Sequence, residues 1–366
     1  MTMRKFVLAL LCLGLLALIC APAVAANLTT SLKPGTAEIK SASSLAFGPD
    51  GVLFVADHKE ASVFALDTGD TKAGKPAADV QGINEKIAAF LGTAADQILI
   101  NDMAVNPASK KVYFSVSRGK GPDAAVVILR VDGAGKIEEL SLAGIKHSKA
   151  SLPNAPADVK NSRGQSPRQE AITDMAYIDG RVIVAGLSNE EFASNLRVIP
   201  FPFQAVDKGT AIEIFHGAHG RFETNAPVRT FVAYSINNQP HVLAAYTCTP
   251  LVKFPLTDLK PGKKVMGTTI AELGNRNRPL DMITYKKDGV NYFLLNNSSR
   301  GVMKLNAEKL DKYEGITKQT DVTGVPYETI ASMKGVEHLD KIDNERGLML
   351  VRGEGGSLNL QQFVLP

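Results

Sequence analysis

One short pattern recurs six times along this chain, and that recurrence constrains the fold more than any other feature. Ser44-Leu45-Ala46-Phe47 runs into the turn Gly48-Pro49-Asp50-Gly51, and the apolar segments 52–57 and 61–67 follow. The order reads as strand, Pro-Asp-Gly turn, strand, strand. Equivalent units start at Asp102, Asp174, Thr230, Asp281 and His338, so successive starts are 58, 72, 56, 51 and 57 residues apart. A single three- or four-stranded sheet of this kind cannot cover both of its faces, but identical neighbours can. The expected fold is therefore all-β: a β-propeller of six blades, each with four antiparallel strands. A seven-bladed ring is the alternative, because the 72-residue gap has room for further strands. The chain ends on the third strand of the sixth unit. Residues 35–40 are expected to supply its missing outer strand, closing the ring by joining the two ends of the chain.

The first 25 residues read differently. Arg4 and Lys5 precede an apolar run over 6–20, and Ala23-Val24-Ala25 supplies small residues at the spacing a signal peptidase needs. This predicts a secretory signal peptide over 1–25, a single propeller domain over 26–366, and a periplasmic or secreted location. An uncleaved anchor fits less well, because the run is short for a bilayer and Pro22 follows it. Cys12 and Cys20 leave with the leader, so Cys248 remains alone and no internal disulfide can form. Stability then has to come from the core. No further apolar run is long enough to span a membrane. The 41 basic and 37 acidic side chains form no basic stripe, which argues against nucleic acid as a partner.

Propeller geometry assigns roles to the unit starts. The innermost strand of each blade begins at one face, here called the top, beside the central channel. Period-two alternation sends the apolar residues Leu45, Met103, Met175, Phe231, Met282 and Leu339 into the blades. It turns Ser44, Asp102, Asp174, Thr230, Asp281 and His338 toward the axis. Three carboxylates around one pore repel each other, and a divalent cation relieves that repulsion. Asp102, Asp174, Asp281 and His338 are therefore the expected metal ligands. The oxygen donors suit Ca²⁺ or Mg²⁺, and the imidazole widens the choice to Zn²⁺, Mn²⁺ or Fe²⁺. The competing reading is structural: aspartates at such positions accept backbone N–H groups and lock blades together.

Other polar groups fall at the same face. Asp57, His58, Asn297 and Arg352 close second strands, and Arg276 and Arg278 sit in a Gly-Asn-Arg-Asn-Arg-Pro loop. These six are candidate ligand contacts. His216 and His219, three apart around Gly217, and the free Cys248 are further candidate metal donors, with surface or packing roles as the plainer reading. The stretch 137–171 reads as a long basic loop suited to an anionic ligand. There is no G-x-S-x-G elbow, P-loop or C-x-x-C-H motif, and no tryptophan.

The first unit, with Phe47-Gly48-Pro49-Asp50-Gly51-Val52-Leu53-Phe54-Val55-Ala56-Asp57 and then Val63-Phe64-Ala65-Leu66-Asp67, resembles the NHL-repeat and gluconolactonase-like (senescence-marker-type) six-bladed propellers. The other units match by pattern. The resemblance implies a top-face site and, in the gluconolactonase-like branch, a metal held by one Glu, two Asn and one Asp. This chain departs from that set, with Ser44 where the Glu is expected.

Two functions follow. One is a propeller that binds a small molecule, an anionic ligand or a partner protein on its top face. The other is a metal-dependent lactone or ester hydrolase, with the cation in the channel and His338 as candidate base.

Overall fold

The computed structural model describes residues 27–121 and 123–366; the expected leader lies outside them. Six small antiparallel sheets stand around a central channel, as the recurrence predicts. Their inner strands are Leu45–Phe47, Ile98–Val105, Asp174–Ile178, Thr230–Ile236, Pro279–Lys287 and Val336–Lys341, numbered here as blades one to six in chain order. Each inner strand pairs antiparallel with the next strand of its blade. The Pro-Asp-Gly turn of blade one works through Asp50 and Gly51, both in left-handed backbone conformation (φ 58° and 71°). Helix is scarce, and Ile83–Phe90 is the one α-helix among the described residues.

The blades do not follow each other around the ring in chain order. Blade two stands between blades one and six, and blade one stands between blades two and three. The buried faces establish this. Leu45, Leu53, Val55 and Phe64 of blade one pack on Ala104, Tyr113 and Ile128 of blade two. The opposite face of blade one, with Val52 and Phe54, packs on Met175, Val182 and Val184 of blade three. Met103, Phe114 and Leu129 of blade two meet Leu348, Leu350 and Leu360 of blade six. Three further apolar clusters fill the remaining boundaries, three–four, four–five and five–six.

The cause lies in the long gap between units. After its third strand, Ser62–Asp67, the chain leaves blade one, builds blade two, and returns as Ile145–Ser151. That returning strand pairs with Ser62–Asp67 as the fourth strand of blade one. The 72-residue interval thus holds a fourth strand for blade two, Ile137–Glu139, and a fourth strand for blade one, with no seventh blade. The basic stretch expected to be a loop is strand over 145–151.

Ring closure also differs from the expectation. Lys33–Gly35 pairs with Ile145–His147 at the outer edge of blade one, so 35–40 do not reach blade six. The outer edge of blade six is covered by residues 77–84, also from the N-terminal part of the chain. Val80 and Leu360 exchange backbone hydrogen bonds, each 2.9 Å long. Asp79 accepts from the Gln362 N–H, and Asn84 from the Leu358 N–H. The chain runs along this edge on its way from blade one to blade two.

Candidate functional site

All six axis residues expected from the alternation, Ser44, Asp102, Asp174, Thr230, Asp281 and His338, line one channel of about 740 Å³. Their apolar successors Leu45, Met103, Met175, Phe231, Met282 and Leu339 are buried between blades. Local strand pleating therefore separates the polar wall from the core.

The carboxylates also join the blades. Asp102 accepts the N–H of its own neighbour Met103 at 2.8 Å and that of Leu45, in blade one, at 2.7 Å. Asp174 does the same with Met175 and with Phe231 of blade four, at 2.7 and 2.9 Å. Asp281 accepts from Met282 and from Leu339 of blade six, both at 2.9 Å. Blade six uses Asp340, which accepts from Lys341 and from Val105 of blade two, at 2.6 and 2.7 Å. Each aspartate thus satisfies one N–H in its own blade and one in the next, always in the same rotational sense. The blade-locking role expected as the competing reading is present in full.

Because Asp340, two residues on, makes the contact to blade two, His338 has no such duty. Its Nδ1 lies 3.4 Å from Asp102 Oδ1. One donor atom each from Asp102, Asp281 and His338 falls within a 4.8 Å cluster. Asp174 stands apart from this trio and receives Ser44 Oγ at 3.3 Å.

The electrostatics are those of crowded acids. Burial, reinforced by the Asp102 charge, raises the Asp174 carboxyl to about 7 despite two backbone hydrogen bonds. Burial likewise raises Asp340 to about 6. Asp281 is also raised well above the usual carboxylate range, first by burial and then by Asp102. In Asp102 and Asp281 each carboxylate oxygen uses one lone pair on a backbone N–H, so a second remains for a cation.

Sequence reasoning missed Asp340 and Arg229, both in the channel wall. Asp340 had a signal: it lies on the same strand face as His338. Arg229 lacked one, since its place at the mouth depends on the ion pair with Glu170 (2.6 Å) and a bond to Thr247. Of the expected ligand contacts, Arg278 lines the channel, and burial together with the Arg229 charge lowers its pKa. The other five are not in the channel wall. Asp57 is fully buried and accepts from the Lys40 N–H, Ser41 Oγ and the Glu60 N–H. His58 contacts Ser41 Oγ, and its pKa is lowered chiefly by burial. Asn297 is buried and donates to the carbonyls of Leu295 and Gly301. Arg352 is engaged by Glu337. Arg276 is exposed, in left-handed conformation. His216, His219 and Cys248 meet outside the channel, where blades three and four adjoin.

No protein-family model matches the chain, and no curated protein does. Several solved structures are similar to it in general form. One is the PQQ-bound form of an aldose sugar dehydrogenase from Streptomyces coelicolor, at 12% identity, 90% of this chain, 96% of that one and a TM-score of 0.37. Another is a putative oxidoreductase (glucose dehydrogenase) from Thermus thermophilus, at 12% identity, 91% and 100% coverage and a TM-score of 0.33. A chain of a mitotic checkpoint complex aligns at 8% identity, 90% coverage of each chain and a TM-score of 0.39. The likeness carries no activity to this chain.

Proposed function

We propose that this chain is a binding propeller whose channel takes a divalent cation at Asp102, Asp281 and His338 and, above it, a small anionic molecule. One observation carries the reading: three donor side chains from blades two, five and six, far apart in sequence, converge within 4.8 Å in an open channel. Asp174 and Asp340 add negative potential in the same wall. A cation there offsets the repulsion that raises these acids. Few protein donors are available for Ca²⁺, Mg²⁺ or Mn²⁺, so water or a ligand carboxylate completes the shell. Arg229 and Arg278 at the wall complement an anion. The expected leader would deliver the protein to the periplasm or outside the cell.

Hydrolysis of a lactone or ester is the second reading, supported by His338 beside Asp102. In this reading Asp102 and Asp281 hold the cation and His338, with Nδ1 3.4 Å from Asp102, is left free to serve as general base. The gluconolactonase-like resemblance of blade one agrees with it, while Ser44 in place of a glutamate speaks against the same ligand set.

Protein purified without chelator is to be analysed for metal and titrated with Ca²⁺ and Mn²⁺ by calorimetry. One Ca²⁺ or Mn²⁺ per chain is expected to bind in the channel, with affinity lost in both Asp102→Asn and Asp281→Asn. A folded protein that takes up neither ion, or binds them equally well in both variants, rules the site out. Turnover of lactones by the loaded protein, abolished in His338→Gln, would select the enzyme reading.

A further inference from the structure

A second cluster of metal-donor side chains lies outside the channel, at the top of the boundary between blades three and four. Strand Thr210–His216 ends there and turns through Gly217–His219 into Arg221–Glu223. From blade four, the turn between strands Gln239–Ala245 and Pro250–Pro255 brings Cys248 to the same place. A nitrogen of His216, a nitrogen of His219 and Cys248 Sγ all lie within 4.8 Å of one another.

The histidines are held for ligation. Glu223 accepts His216 Nδ1 at 2.9 Å on one oxygen and His219 Nδ1 at 2.7 Å on the other. One carboxylate thus fixes both rings with the proton on Nδ1 and leaves both Nε2 atoms as bare donors, the support that metal-binding histidines characteristically have. The rings lie 3.8 Å apart, centroid to centroid. His216 is 2% exposed, and its Nε2 is buried with no hydrogen-bond partner. An imidazole nitrogen carrying a lone pair is costly to bury in this way unless something binds it.

The thiol is positioned as firmly. Cys248 and Thr249 are both left-handed, at φ 66° and 59°. The Cys248 N–H donates to the Asn277 carbonyl at 2.7 Å, and Thr249 Oγ1 to the Gly274 carbonyl at 2.7 Å. Gly217 is required opposite: a Cβ there would come within 2.8 Å of the Glu272 side chain. Glu272 accepts the Gly217 N–H at 2.6 Å, and its other oxygen is buried and unpartnered.

We infer that His216, His219 and Cys248 form a zinc site, buttressed by Glu223, with an open fourth position on the side of the exposed His219. Two imidazoles and a thiolate are borderline-soft donors that suit zinc and exclude the hard cations proposed for the channel. Tetrahedral zinc with bonds of about 2.0–2.3 Å spaces its donors by roughly 3.5 Å, a separation that donors already within 4.8 Å of one another reach by small side-chain shifts. The Cys248 thiol gives up its proton on binding, so one proton leaves for each zinc taken up.

Cobalt(II) is the probe. Reduced, chelator-treated full-length protein is titrated with Co²⁺ and followed by absorbance. One equivalent is expected to give a thiolate-to-cobalt charge-transfer band, bleached by one equivalent of Zn²⁺. The band is lost in Cys248→Ser and in His219→Gln, whose exposed position leaves the fold intact, and kept in the channel variant Asp281→Asn. Separately, Zn²⁺ slows alkylation of Cys248 at least tenfold in the native protein. Absence of the thiolate band, a band that survives Cys248→Ser, or alkylation unchanged by zinc overturns the assignment. Cobalt d–d absorbance without a thiolate band, lost in Asp281→Asn and kept in Cys248→Ser, would place the metal in the channel instead.

Discussion

Asp281 in blade five accepts the backbone N–H of Leu339 in blade six at 2.9 Å, and its other oxygen holds the N–H of its own neighbour Met282. One carboxylate thus satisfies two donors that the ring would otherwise bury without partners. The same arrangement at Asp102, Asp174 and Asp340 joins four of the six blade boundaries. These side chains line the channel, so the groups available to a ligand are the ones that hold the ring together.

Asp281→Ala is expected to leave both N–H groups unpaired and to cost about 2–6 kcal/mol, counting about 1–3 kcal/mol for each. Asp281→Asn keeps one acceptor oxygen and should cost about half as much. Urea denaturation of the two variants checks this; equal stability in Asp281→Ala and the parent would contradict the role described.

The raised acids give a stability profile with a defined sign. Asp174 moves from 3.8 to about 7 on folding, and Asp340 from 3.8 to about 6. The native state therefore holds these protons more tightly than the unfolded chain does. Their contribution is complete below about pH 4 and is lost as pH rises through about 6 to 7, under the influence of Asp102, Asp281 and His338 nearby. Melting temperature in chelator is expected to fall between about pH 5 and about pH 8, and Asp174→Asn should flatten the fall. A profile that rises over this range and is unaltered by Asp174→Asn would refute it.

Closure at residues 77–84 is testable by amide exchange. The Val80 and Leu360 N–H groups, paired with each other's carbonyls, should exchange only through global unfolding. Val80→Pro removes one of those bonds and leaves the Leu360 carbonyl without its partner, which should lower stability by about 1–3 kcal/mol. Fast exchange at both amides would show that the blade-six edge opens on its own.

The unusual blade order predicts a specific coupling. Phe54 of blade one stacks on Tyr177 of blade three with ring centroids 5.6 Å apart and also meets Phe201 edge-on at 5.0 Å. Phe54→Ala should cost about 3–5 kcal/mol. A Phe54/Tyr177 double-mutant cycle should return a coupling of about 0.5–1.5 kcal/mol. Additive losses would mean that blades one and three do not touch.

The recurring units, the all-β class and the six residues around the axis were legible along the chain. Each depends on alternation within one strand, and alternation is a local property. Asp340 was as legible as His338, since the two share a strand face. The transposed blades, the closure by residues 77–84 and the return of 145–151 to blade one were not. They depend on which buried face finds which, as when Phe54 meets Tyr177, and strand patterns do not encode neighbours. The same holds for His216, His219 and Cys248. Their identities stand in the sequence, but a thiol and two imidazoles about thirty residues apart become one cluster only when blade four packs on blade three.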